Sequence, residues 1–148
     1  MASEAEGQKI AVESDFLLGL RKSDKRHASV VIALKKHKEG SFLITLLSSA
    51  VLEVRAVLYS RGVKGRDVEE TFSLMAALLA EHGVTDSSTL SLSDVVVAEA
   101  TRNDMPNLTF FDSLHAATSK RLGMTMLSSE GSYARMGLPF IDLDKLVK

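Results

Sequence analysis

The chain has 148 residues, a formal net charge of -1 and no cysteine. Disulfides, zinc ribbons, iron–sulfur clusters and thiol nucleophiles are therefore excluded, and the near-neutral balance argues against a generic polyanion binder. A chain of this length is expected to bury a substantial core as one domain, over residues 8–148, with 1–7 a disordered tail. No apolar run reaches the roughly 18 residues of a membrane span, and the N-terminus is acidic rather than basic then apolar, so a soluble, cytoplasmic protein with no membrane contact is expected.

In chain order, Gln8–Val12 is a short apolar run that reads as a buried parallel strand. The acids Glu13 and Asp15 follow it, two apart, before a helix-like stretch from Phe16 to Arg21. Two readings stand side by side: acids at a strand end available for chemistry, or Ser14 or Asp15 capping the helix. A second helix is predicted from Ser23 or Asp24 to Gly40, with Val30, Val31, Ile32 and Leu34 toward a core. The basic residues Arg21, Lys22, Lys25 and Arg26 follow closely on the acidic pair and are the candidates for nucleic-acid phosphate contact, although charge on a helix margin is usually a solvated face.

Ser41–Leu47 reads as a strand, and Ser48 or Ser49 opens a helix carrying Glu53. The helical neighbours of Glu53 are Ser49, Ala50, Ala56 and Val57, so this carboxylate faces small or apolar surface and calls for a partner or a metal, the other reading being a helix-boundary acid paired with Arg55 or reaching to water. Gly62–Gly65 is a turn, and Asp67–His82 an amphipathic helix closed by Gly83. A short segment at Val84–Leu90, a helix at Leu92–Arg102 and a loop at Asn103–Asn107 come next. Asp94 reads as a cap neighbour.

Phe110 and Phe111 lead into a helix from Asp112 to Leu122, which Asp112 is suited to cap. Met124–Leu127 and Leu138–Ile141 read as closing strands. Strands and helices thus alternate, which predicts an α/β protein with a parallel sheet covered on both faces. In such a sheet the carboxyl ends of strands and the starts of the next helices share one edge, where Glu13, Asp15, Glu53, Asp112 and Glu130 can converge. His27, His37, His82 and His115 lack paired metal-binding spacing, and there is no phosphate-binding loop, dinucleotide fingerprint or nucleophile elbow. Converging acids suit a hard cation, Mg²⁺ or Mn²⁺, and metal-assisted phosphate chemistry.

Four segments, V-E-S-D-F-L-L at Val12–Leu18, S-S-A-V-L-E at Ser48–Glu53, F-F-D-S-L-H-A-A at Phe110–Ala117 and L-S-S-E at Leu127–Glu130, together resemble the PIN-domain nucleases, in order and with similar separations. The likeness is greatest to small, archaeal-looking, single-domain members of the VapC-toxin type. It implies a three-layer α/β/α sandwich with a central, mainly parallel sheet, and a metal-dependent endoribonuclease acting on RNA with Mg²⁺ or Mn²⁺, the toxin of a toxin–antitoxin pair. It also implies an antitoxin partner and a homodimer. Glu13, Glu53, Asp112 and Glu130 fall on the four acidic positions and Asp15 on a polar one, all five offered as metal ligands; Ser14, Ser128 and His115 are supporting. The first and fourth acids of such proteins are usually Asp, whereas this chain has Glu. The alternative is a catalytically weak PIN-like module that binds RNA or another protein.

Overall fold

The computed structural model describes residues 7–147, so most of the expected tail at 1–7 lies outside the described residues. Five strands form one sheet: β1 (Gln8–Val12), β2 (Phe42–Leu46), β3 (Asp86–Ser87), β4 (Thr125–Ser128) and β5 (Phe140–Asp142). Their order is β3-β2-β1-β4-β5, and every pair is parallel. The helices are α1 (Ser14–Leu18), α2 (His27–Lys38), α3 (Ser48–Ser60), α4 (Arg66–Glu81), α5 (Leu92–Asp104), α6 (Phe110–Arg121) and α7 (Ser132–Arg135), with a 3-10 turn at Leu143–Lys145. They flank the sheet as the outer layers of an α/β/α sandwich.

The strand order decides where a site can form. The chain runs outward from β1 through β2 to β3, then returns to the other side of β1 with β4 and β5. The carboxyl ends of β1 and β4 therefore diverge at a topological switch point, the crevice where open parallel sheets hold ligands. Val12 pairs with Leu127 at that edge, so the next residues, Glu13 just after β1 and Ser128 at the end of β4, emerge side by side. Ile10, Ala11 and Val12 have no exposed surface at all, as a central strand covered on both faces requires.

Several boundaries differ from the sequence expectations. Helix α1 ends at Leu18, not Arg21, and α2 starts at His27, not after Ser23 or Asp24, leaving a loop between them. Gly19 explains the early exit: a Cβ there would meet Val30 Cγ2 at 2.6 Å, so only glycine lets the loop fold back against α2. Asp24 serves the loop instead, its Oδ1 accepting from the Arg26 N–H at 2.8 Å. Val31, expected in the core, is 47% exposed; at 100° per residue Val30, Val31 and Ile32 cannot all face inward, and the sheet takes Val30, Ala33 and Leu34. Helix α3 begins at Ser48, but its N-cap is Leu47 and no side chain caps it.

Candidate metal centre

The first group grows out of the end of β1. Glu13 keeps extended backbone (φ -126°, ψ -156°), and its side chain, not that of Ser14 or Asp15, caps α1 by accepting from the Asp15 N–H. The same Oε1 accepts from the Ser14 hydroxyl at 2.7 Å, and Oε2 from the Ser128 hydroxyl at 2.6 Å. One oxygen of Asp15, Oδ2, accepts from the Ser129 N–H at 2.7 Å, the Ser129 hydroxyl at 2.6 Å and the Ser128 hydroxyl at 3.1 Å. The other, Oδ1, is buried and has no hydrogen-bond partner among the described residues.

The second group comes from two helices that cross beside the sheet edge. Glu53 on α3 lies 2.7 Å from His115 Nε2 on α6, and His115 Nδ1 lies 2.7 Å from the Ser49 hydroxyl. Since a carboxylate only accepts, Nε2 carries a proton; in the neutral ring Nδ1 then accepts from Ser49. The expectation that Glu53 needs a partner is met by His115, not by Arg55, whose guanidinium lies over the Tyr59 ring. Glu13, Glu53 and His115 each place a ligand-type atom within 4.8 Å of the others.

Asp112 stands in the first turn of α6 and does not cap it. The helix starts at Phe110, and the Thr109 side chain caps it by accepting from the Asp112 N–H at 3.1 Å. The Asp112 carboxylate is left to the site, where its Oδ1 accepts from the Tyr133 hydroxyl at 3.3 Å. Glu130 is exposed at the rim; its Oε1 accepts from the Ser132 N–H at 3.1 Å, and with Asp112 it lines a cleft of about 440 Å³.

Crowding of acids shows in their ionisation. Asp15 is pushed up to about 6 by burial and by the Glu13 charge, against the hydrogen bonds from Ser129 and Ser128. Asp112 is raised by burial and by the charge of Glu53. For Glu53 burial works in the same sense, but the hydrogen bonds from His115 and Ser14 outweigh it and hold the carboxyl below its ordinary value. Tyr133, fully buried, is kept protonated by burial and by the surrounding charges of Glu13, Asp112, Asp15 and Glu53.

Carboxylate oxygens dominate this donor set, and Asp15 Oδ1 is a buried carboxyl oxygen without a hydrogen-bond partner among the described residues. Both features fit a hard divalent cation, which would satisfy that oxygen and relieve the repulsion among the acids. Of the basic candidates, Arg21, Lys22 and Lys25 are exposed on the loop between α1 and α2. Arg26 is drawn inward, its Nε donating to the Ser129 hydroxyl oxygen at 2.9 Å.

Sequence reasoning missed Ser49, Ser129 and Tyr133. A tyrosine three residues beyond the last acid was the available signal, because a buried tyrosine hydroxyl needs a polar partner. It also understated Asp94, which is 1% exposed and joins α5 to α6. Asp94 closes a capping box with Ser91, accepts from Thr118 and takes two hydrogen bonds from the Arg121 guanidinium.

No protein-family model matches the chain, and no curated protein matches it in sequence. Solved structures do. VapC20 of Mycobacterium tuberculosis, a sarcin–ricin loop cleaving toxin, superposes with a TM-score of 0.62 at 17% identity, over 87% of this chain and 95% of that one. VapBC2 of Rickettsia felis, solved bound to a DNA fragment from its promoter, gives 0.68 at 12% identity, over 91% and 98%. VapBC-1 of nontypeable Haemophilus influenzae gives 0.66 at 10% identity, over 93% and 100%. The chain thus has the PIN-like α/β/α fold of these VapC proteins.

Proposed function

We propose that residues 8–148 act as one PIN-like domain and that the protein is a metal-dependent endoribonuclease of the VapC-toxin type, hydrolysing RNA phosphodiester bonds with Mg²⁺ or Mn²⁺. The observation that carries this reading is the gathering of Glu13, Glu53 and His115 within 4.8 Å at the switch point between β1 and β4, with Asp15 and Asp112 beside them. Such a cluster, in a fold shared with a sarcin–ricin loop cleaving toxin, supports RNA as the substrate class.

In this reading Glu13, Asp15, Glu53, Asp112 and Glu130 hold the cation. When bound, it supplies Lewis acidity, polarising the phosphate and acidifying water. Ser14, Ser128 and Ser129 fix the two carboxylates that follow β1. His115 keeps Glu53 ionised and oriented, and Tyr133 fixes Asp112. Arg21, Lys22 and Lys25 offer charge to the RNA backbone, which steers a polyanion without reading its bases. An antitoxin is the proposed protein partner. A homodimer is proposed through the exposed apolar residues Val51, Leu52 and Leu74, and a monomeric mass at micromolar concentration would remove it.

One observation favours the alternative, a catalytically weak module that binds RNA or protein. Both oxygens of Glu13 are already engaged, in capping α1 and in bonds to Ser14 and Ser128. Cleavage of structured and single-stranded RNA, assayed with Mg²⁺, with Mn²⁺ and with chelator, separates the two. Metal-dependent cleavage supports the enzyme; RNA binding without cleavage under all three conditions supports the module.

A further inference from the structure

We propose that Arg26 is a positioning residue for the acid cluster: acting through Ser129, it sets Asp15 so that Oδ1 is the oxygen left for a divalent cation. This rests on the reading of the site as a metal centre, and gives Arg26 a role other than RNA contact.

The argument is one of hydrogen-bond direction. Arginine has donors only. Its Nε–H therefore occupies a lone pair of the Ser129 oxygen, and the single Ser129 hydroxyl proton is committed to Asp15 Oδ2 at 2.6 Å. The Ser129 N–H reaches the same oxygen at 2.7 Å, so two bonds from one residue hold one edge of the carboxylate. Oδ1, on the other edge, stays buried and unpartnered among the described residues. Without Arg26 the hydroxyl is free to rotate away, and the carboxylate loses one of the bonds that orient it.

Arg26 is itself held in place. Its N–H donates to Asp24 Oδ1, and the next residue, His27, bonds the Gly19 carbonyl through Nδ1 at 3.0 Å. The absence of a side chain at Gly19 lets this loop lie close to α2, since a Cβ there would meet Val30 Cγ2 at 2.6 Å, while Arg26 Cβ stands at ordinary contact distance, 3.5 Å. The side chain therefore leaves a fixed base and spans from the loop before α2 to the loop after β4, 103 residues away in sequence. A residue whose only task was to meet RNA phosphate would gain nothing from this tether.

Charge and position predict opposite signs for metal binding. A cation beside a cluster of acids repels a second cation, so if charge alone mattered, Arg26→Ala would tighten Mn²⁺ binding. If Arg26 orients Asp15, the same substitution weakens it, by about 10- to 100-fold, as is usual when a partner behind a metal ligand is removed.

The test uses the full chain with Arg26→Ala, Ser129→Ala, the double variant and Ser129→Thr, each checked for native circular dichroism. Mn²⁺ affinity is measured by calorimetry and by electron paramagnetic resonance. Amide exchange at Ser129 is measured without metal. The expected result is weaker Mn²⁺ binding in both single alanine variants, no further loss in the double, parental affinity in Ser129→Thr, and faster Ser129 exchange in Arg26→Ala. Unchanged or tighter Mn²⁺ binding by folded Arg26→Ala overturns the proposal, and so does unchanged Ser129 exchange. A parent protein that binds no Mn²⁺ at millimolar concentration overturns the metal reading and, with it, the assignment of Oδ1; the exchange arm, which needs no metal, still decides whether Arg26 holds Ser129.

Discussion

His115 on α6, which has no exposed surface, donates from Nε2 to Oε1 of the partly buried Glu53 on α3 across 2.7 Å. Replacing His115 by Ala removes a donor to a charged group and opens a void at a site with no exposed surface. The expected cost is about 2–4 kcal/mol, read from urea denaturation. The Glu53 carboxyl, then left with burial as its main influence, is expected to rise above its ordinary value, which carbon-detected NMR titration measures.

Asp112→Asn keeps the size of the side chain and the Thr109 cap while removing the charge. Stability is expected to change by less than about 1 kcal/mol, because the lost attraction to the helix start is offset by relief of a buried charge. RNA cleavage is expected to fall by about 100-fold or more, a few kcal/mol of charge stabilisation. A folded variant that cuts RNA at the parental rate sinks the catalytic role of Asp112.

Asp15 gives the metal-free protein an unusual pH dependence. Its folded value, about 6, lies above the ordinary 3.8, so between the two the folded protein retains a proton that the unfolded chain has released. Stability from this group is present below about pH 4 and is lost as pH rises to 6, by up to about 3 kcal/mol. Asp94, held down at about 2, works in the opposite sense, but its contribution is already complete above pH 4. Thermal melts from pH 4 to 7 are expected to show the decline in the parent and a flatter profile in Asp15→Asn. Saturating Mn²⁺ is expected to reverse it.

Asp94→Ala is expected to destabilise the fold by about 1–3 kcal/mol without touching the acid cluster, since it leaves the buried Thr118 hydroxyl without its acceptor and opens the cap of α5. Chemical denaturation gives the loss, and the Mn²⁺ affinity of the variant, measured below its melting range, is expected to match the parent.

The sheet was legible because β1, β2 and β4 are short apolar runs bounded by acids, serines or glycine, and a central strand admits little else. The two-residue β3 has no such signature; it pairs only because β2 presents an open edge. Two helix starts were misread because capping residues competed, Thr109 with Asp112 and Glu13 with Ser14 and Asp15, since spacing alone does not say which side chain turns toward the backbone; α2 was misread because it starts with no capping side chain. The acids Glu13, Asp15, Glu53 and Asp112 were legible as isolated charges next to apolar runs. Their partners were not: Ser49, Ser129 and Tyr133 are ordinary residues until folding sets them opposite a carboxylate.

The central place of β1 carries a consequence for synthesis. Its pairing with β4 joins residues more than a hundred positions apart, such as Val12 with Leu127. A nascent chain that stops short of Phe110 already carries Glu13, Asp15 and Glu53, but has neither His115 to hold Glu53 nor Ser128 and Ser129 to hold the other two. In a growing polypeptide the acid cluster therefore gains its full set of partners only once α6 and β4 have been made, whatever chemistry the cluster performs.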